Sequence, residues 1–208
     1  MMLQAVLLAS MATVALGTIC CAPLQWEAFK DFTRVDSSGG RRGLQSYSYD
    51  AANERYALSG NYTDFVSSYK EIRDYRKGTG YRINPEAKTC ETFAVSGRFP
   101  ANCIPGGAVA VGPLYYGFGT DSLNAIAYQF NDTKGEFKNV MAVVSKRDCV
   151  PIISATTILR PGNNYLETMG YNNITPGIRD ITVFDPPSYC KKRATNGSNS
   201  MFNEILRV

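Results

Sequence analysis

Apolar and polar residues alternate along most of this chain in short runs with a period near two, and turn-forming residues bound each run. Residues 46–50, 55–62, 68–75, 81–84 and 89–96 read as strands, with hairpin turns at Lys77-Gly-Thr-Gly80 and Asn84-Pro-Glu-Ala-Lys88. The Pro- and Gly-rich stretch 99–107 is expected to carry the chain from one sheet region to another, because proline removes a ladder donor. The pattern resumes over 108–112, 124–130, 136–146, 152–159 and 165–171. Ile126, Tyr128 and Phe130 fall on one face of their strand, while Ala125, Ala127 and Gln129 fall on the other, so one face is expected to be buried. Val140-Met-Ala-Val-Val144 is apolar at every position, which suits a central strand. Residues 36–43, rich in Ser, Gly and Arg, read as a polar loop, and only 176–183 and 201–208 look faintly helical. With no internal repeat and no linker, the expectation is one all-β domain.

The first residues change the picture of where the chain resides. Residues 1–17 carry an uncharged apolar run from Ala5 to Leu16 with the small residues Ala15 and Gly17 at its end, the layout of a signal peptide and its cleavage site. The run is shorter than the roughly 20 apolar residues a membrane span requires, and no later stretch approaches that length. The expectation is therefore a soluble, secreted mature chain over 18–208 with no membrane span. All six cysteines (Cys20, Cys21, Cys90, Cys103, Cys149 and Cys190) lie beyond residue 17 and read as three disulfides, of a connectivity that six cysteines leave open. Sequons at Asn61, Asn131, Asn173 and Asn196 fit the same route and predict glycosylated, solvent-facing positions.

Charge and composition mainly exclude. The 22 Lys and Arg against 18 Asp and Glu leave a net charge of +4, and the basic residues are scattered, so no nucleic-acid surface is expected. The absence of histidine removes the Ser-His and Cys-His nucleophile pairs and every His metal ligand. No phosphate-binding loop, nucleophile elbow or paired-carboxylate motif occurs either, so no catalytic residues are assigned and the chain does not read as an enzyme. Asp31, Asp36, Asp132, Asp180 and Asp185 are candidate calcium ligands only by type, since no oxygen-rich spacing selects them, and they read first as turn residues. Calcium stays open as a cofactor, its ligands unknown.

Several landmarks then occur in a telling order: Cys20-Cys-Ala-Pro-Leu-Gln-Trp26, Ser48-Tyr-Asp50, Lys88-Thr-Cys90, Lys146-Arg-Asp-Cys-Val-Pro151 and Gly177-Ile-Arg-Asp-Ile-Thr-Val-Phe-Asp-Pro-Pro-Ser-Tyr-Cys190. Together they resemble the ependymin and ependymin-related family over nearly the whole mature chain. The resemblance implies a secreted, N-glycosylated sandwich of two antiparallel sheets, similar to bacterial lipoprotein carriers. It implies an interior hydrophobic pocket for lipid or another apolar ligand, and a homodimer. It also allows calcium binding, matrix association and a lysosomal location. It pairs Cys20 with Cys149 and Cys90 with Cys190, with Cys21 and Cys103 left as a third pair; whether Cys20 or Cys21 meets Cys149 stays open. Without a tail cysteine, 191–208 is expected to be mobile.

The leading expectation is a non-enzymatic carrier of an acyl chain or similar apolar ligand, with Phe93, Val95, Ile126, Tyr128, Phe130, Met141 and Val143 as pocket candidates. The alternative is a calcium-dependent matrix or adhesion glycoprotein whose fold is a scaffold for glycans.

Overall fold

Successive hairpins build this protein. The computed structural model describes residues 18–62, 68–132, 137–159 and 164–190. Its strands are β1 (Thr18–Cys21), β2 (Gln25–Asp36), β3 (Gly39–Asp50), β4 (Arg55–Tyr62), β5 (Tyr69–Asp74), β6 (Thr79–Asn84) and β7 (Thr89–Ala94). They continue with β8 (Cys103–Pro105), β9 (Val109–Phe118), β10 (Asp121–Asp132), β11 (Phe137–Ser145), β12 (Pro151–Leu159) and β13 (Tyr165–Pro176). The fold is all-β in two antiparallel sheets of unequal size. Among the described residues, a sheet of 11 strands runs β7-β6-β5-β4-β3-β2-β13-β12-β11-β10-β9, and a two-stranded sheet pairs β1 with β8. The large sheet is thus two meanders, β2–β7 and β9–β13, zipped along β2 and β13.

Turn chemistry sets each hairpin. Asp74 accepts the Lys77 amide at 2.8 Å, and Gly78 adopts the left-handed φ of 61° needed to return the chain into β6. Asn84 accepts the Ala87 amide at 2.8 Å before β7. The expected polar loop at 36–43 is instead a hairpin: Asp36 accepts the Ser38 amide, and residues through Arg41 and Arg42 pair with β2. Its small and charged residues hid an extended segment held by its neighbour. Within 99–107 the chain does cross over, but Cys103–Pro105 also forms β8. A short strand can hold its proline at the end because it pairs on one edge only. The helical reading of 176–183 reduces to one 3-10 turn, Ile181–Phe184, in which the Thr182 amide donates to the Asp180 side chain. Residues 1–17 and 191–208, with the expected signal peptide, mobile tail and terminal helix, lie outside the described residues.

Register divides the large sheet into a front and a back. On the front, the small sheet packs with Ile104 of β8 buried against Tyr128 and Val144. On the back, the segment after β13 lies over β4–β6, with Phe184 buried against Ala57, Ile72 and Ile83. Each large apolar side chain buried in this way contributes about 1.5–3 kcal/mol by leaving water.

The disulfides join Cys20 to Cys149, Cys21 to Cys103 and Cys90 to Cys190. Strand geometry decides the choice between Cys20 and Cys21, because adjacent residues of β1 point to opposite sides. Cys21 faces Cys103 directly in the β1–β8 ladder, while Cys20 turns into the cluster holding Cys149.

Candidate functional site

The front face of β13 and β2–β7 is a lattice of side chains whose rows run across the strands. Ladder pairing places Trp26, Tyr49, Tyr56, Arg73, Gly80 and Phe93 in one row, and Ala28, Tyr47, Leu58, Glu71, Arg82 and Glu91 in the next. A third row holds Tyr171, Lys30, Gln45, Gly60 and Tyr69.

Aromatic rings dominate this surface. Trp26 lies 5.3 Å from both Tyr47 and Tyr49 and 5.4 Å from Tyr171, measured between ring centroids. Tyr47 and Tyr56 are 5.8 Å apart. From the crossover, Phe99 covers one end at 5.0 Å from Tyr49, whose hydroxyl donates to the Pro100 carbonyl at 2.7 Å. Burial pushes the phenols of Tyr47, Tyr49, Tyr56 and Tyr171 above their ordinary range. Tyr56 and Tyr171 are nonetheless only half-buried. Trp26, Ala28, Tyr47 and Tyr49 form the buried centre of this cluster, and Tyr56 and Tyr171 pack at its half-buried margin.

Polar groups interrupt the wall at one edge. Glu71, 2% exposed, accepts from Arg73 Nε at 2.6 Å and from Arg82 Nε at 3.5 Å. The Arg82 guanidinium also lies 4.2 Å from the Phe93 centroid. Phe93 in turn seals Gly80, where an added Cβ would run into the Phe93 ring. Gly60 leaves room in the third row for Gln45 Nε2 to donate to the Tyr69 hydroxyl. Lys30 Nζ sits 5.3 Å from the centroid of Tyr47, and desolvation lowers its pKa against weaker opposing fields from Glu167 and Glu71.

The pocket candidates divide between two faces. Ile126, Tyr128 and Phe130 share the front with Val144, Ala142 and Val140 of β11, beneath β8. Phe93 is also on the front, held between Arg73 and Arg82. Val95 lies just past β7, bonded to Gly78. Met141 and Val143 turn to the back with Ala125 and Ala127. The wall residues Tyr47, Tyr56, Tyr171 and Lys30 were not among those candidates. Their available signal was the alternation Trp26-Ala28-Lys30-Phe32 against Tyr47 and Tyr49.

Elsewhere, an open cleft of about 610 Å³ borders Cys20, Cys21, Pro23 and Asn102. Its rim charges, Arg147 and Asp148, are exposed and face each other at 3.6 Å. Among the described residues no group of three or more acidic or thiol side chains could hold a metal ion. Asp36 and Asp180 accept local hydrogen bonds from Ser38 and Thr182, and Asp31 accepts from Gly170 across the β2–β13 seam. Asn131 and Asn173 are exposed; the side chain of Asn61 and all of Asn196 lie outside the described residues. No helix among the described residues is long and apolar enough to cross a membrane.

Comparison with known proteins follows the same outline. The family model described as Ependymin matches residues 64–190. Ependymin-related protein 1 of Haliotis asinina is 44% identical over 198 residues, covering 91% of this chain and 99% of that one. Ependymin-related protein 2 of the same organism is 38% identical, covering 92% and 100%. A solved structure of an uncharacterized conserved protein from Thermus thermophilus superposes with a TM-score of 0.51 at 8% identity, covering 79% of this chain and 86% of that one. That likeness concerns the fold alone.

Proposed function

The chain belongs to the ependymin family, and from that premise we propose that it is a secreted, extracellular, non-enzymatic protein that holds a hydrophobic ligand on the front face of its large sheet. The observation that supports this reading is the aromatic cluster of Trp26, Tyr47, Tyr56 and Tyr171 on one face of the large sheet, whose rings Tyr56 and Tyr171 stay half-buried. Its mechanism is desolvation. Each CH₂ taken out of water contributes about 0.8 kcal/mol, so a chain of roughly a dozen carbons reaches micromolar affinity after ordering costs. Neighbouring rings 5.3 to 5.8 Å apart supply flat apolar area with little rotamer entropy to lose.

The reading extends to the molecule's setting. Residues 1–17 would be removed on secretion, leaving 18–208 as one domain with glycans on exposed Asn131 and Asn173. Self-association with a second copy is supported by β9, which among the described residues is an end strand of the large sheet, with Val109, Val111, Tyr115 and Phe118 exposed.

Binding of a neutral apolar fluorophore such as N-phenyl-1-naphthylamine, combined with native mass spectrometry of the purified protein, tests the pocket. The expected results are micromolar, saturable binding and a co-purifying apolar mass, with Tyr171→Ala weakening the fluorophore about fivefold or more. Neither binding nor a bound mass would show the wall to be an ordinary core.

A further inference from the structure

Two disulfides share one opening where the small sheet meets the large one. Cys20, Cys21, Cys103 and Cys149 all border the open cleft of about 610 Å³. The three bridges of the molecule differ in cover. Cys149 is 5% exposed and packs with Ile104, Tyr128 and Val144, while Cys90 and Cys190 are half-buried against the cluster of Ala57, Ile72, Ile83 and Phe184. Of the six cysteines only Cys21 is exposed, and its partner Cys103 faces it directly across the β1–β8 ladder. Arg147 and Asp148 stand at the rim of the cleft, and exposed Lys146 beside them gives that turn two cations against one anion. Thiol exchange needs a sulfur that can be reached, and positive charge nearby draws and stabilises the attacking thiolate.

We propose that Cys21–Cys103 is a thiol-exchange site for an extracellular dithiol reductant, and that opening it loosens the crossover 99–105 from the front face while the domain stays folded. The incoming thiolate attacks Cys21 Sγ, the Cys21–Cys103 bond breaks, and Cys103 leaves as a thiolate that takes a proton from water. The reductant's second thiolate then attacks the reductant sulfur of the mixed disulfide, so the reductant closes its own disulfide and Cys21 leaves as the second thiol. Two electrons pass from the dithiol to the bridge. The effect is local because the other ties remain: Cys20–Cys149 still fastens β1 beside the end of β11, and Cys90–Cys190 still fastens the back cover. The crossover is then held without a disulfide of its own, by the β1–β8 ladder and by the Ala22–Asn102 hydrogen bonds at 2.7 and 2.9 Å. Its grip on the large sheet is Ile104 against Tyr128 and Val144, the Pro100 carbonyl on the Tyr49 hydroxyl, and Phe99 at 5.0 Å from Tyr49 and 5.4 Å from Tyr75. Trp26, the single tryptophan, lies 5.3 Å from Tyr49 and so reports on that grip. This site does not depend on the ligand reading above.

The test exposes the purified, oxidised protein to graded dithiothreitol, alkylates the freed thiols with iodoacetamide and maps the peptides. Cys21 and Cys103 are expected to be labelled at reductant concentrations about tenfold or more below those that label Cys20, Cys149, Cys90 and Cys190. In the partly reduced protein, amide exchange should rise in 99–104 and hold in β4–β6 and β10–β12, and Trp26 fluorescence should shift. Removal of dithiothreitol should restore the original pairing. Cys21→Ser with Cys103→Ser should reproduce the same exchange pattern without reductant. Labelling of all six cysteines together, or of Cys90 and Cys190 first, overturns the proposal. Selective opening of Cys21–Cys103 that leaves exchange in 99–104 unchanged overturns it too.

Discussion

The β4–β7 block and the β9–β12 block are built by the same hairpin logic, but they end differently. Behind β4–β6 the chain supplies its own cover: Ile178, Val183 and Phe184 pack over Ala57, Ile72 and Ile83, and Cys90–Cys190 ties that cover down. Behind β10–β12 the back face shows Leu123 at 49%, Met141 at 40% and Leu159 at 60% exposure. Its last strand, β9, leaves Phe118 92% exposed, and residues 107–120 carry no charge at all. A sheet has two faces and two edges to protect. One block protects its own with covalently attached chain; the other, among the described residues, leaves apolar surface exposed.

The largest effect expected from this difference comes from the covalent tie. Removing it by Cys90→Ser with Cys190→Ser opens a loop of 100 residues, a loss approaching about 4.7 kcal/mol in the chain-entropy picture. Urea unfolding measures the total, and hydrogen exchange locates it. Amide protection should fall in β4–β6 and hold in β10–β12; an even loss across both blocks would erase the contrast.

Alkaline titration comes next, because the desolvated phenols of Tyr47, Tyr56 and Tyr171 sit on β3, β4 and β13, outside the β9–β12 block. Their folded pKa values are raised, so above about pH 10 the unfolded chain releases protons that the folded chain keeps. Stability therefore falls with rising pH, by about 1.4 kcal/mol per tyrosine per pH unit, or roughly 4 kcal/mol at pH 11 for three. Lys30 acts with the opposite sign: its lowered pKa makes the unfolded chain the better proton binder just below pH 10.5, which adds stability as pH rises there. Tm against pH, with absorbance following tyrosinate, should show a decline that Tyr171→Phe softens. A flat profile to pH 11 would mean that these rings are not desolvated.

Two truncations sharpen the contrast further. Ile72→Ala, at 1% exposure beneath Phe184, should cost about 3 kcal/mol, while Leu123→Ala on the open back should cost under about 1 kcal/mol. The smallest stability effect is expected at the edge. Val111→Lys, 60% exposed on β9, should change stability by no more than about 0.5 kcal/mol yet shift sedimentation toward monomer. A destabilised monomer, or an unchanged dimer, would remove β9 as a contact surface.

Much of this architecture can be read from residue order. Turn chemistry at Asp74, Gly78 and Asn84 and the alternation of β10 are local, and the structure follows them. The β2–β3 hairpin was hidden because Ser37, Ser38, Gly39 and Gly40 look like a loop unless β13 already holds β2 in place. β9 extends past Gly112 and Pro113, which break the apparent alternation, because β10 pairs it across a bulge. Of the expected site, Ile126, Tyr128 and Phe130 were legible as one face, but not as a face covered by β8.

The sequence by itself determined that this chain makes strands and hairpins, and that its cysteines can pair, because period-two patterning and turn residues act over a few positions. Only the tertiary structure decided which faces meet. Lys30 and Tyr171 stand side by side across the β2–β13 seam although they lie far apart in the chain, and Cys20 and Cys21 part company because β8 lies on one side of β1. Register between distant strands depends on every hairpin formed in between, so a wall assembled from β2, β3, β4 and β13 exists only once the whole sheet has closed.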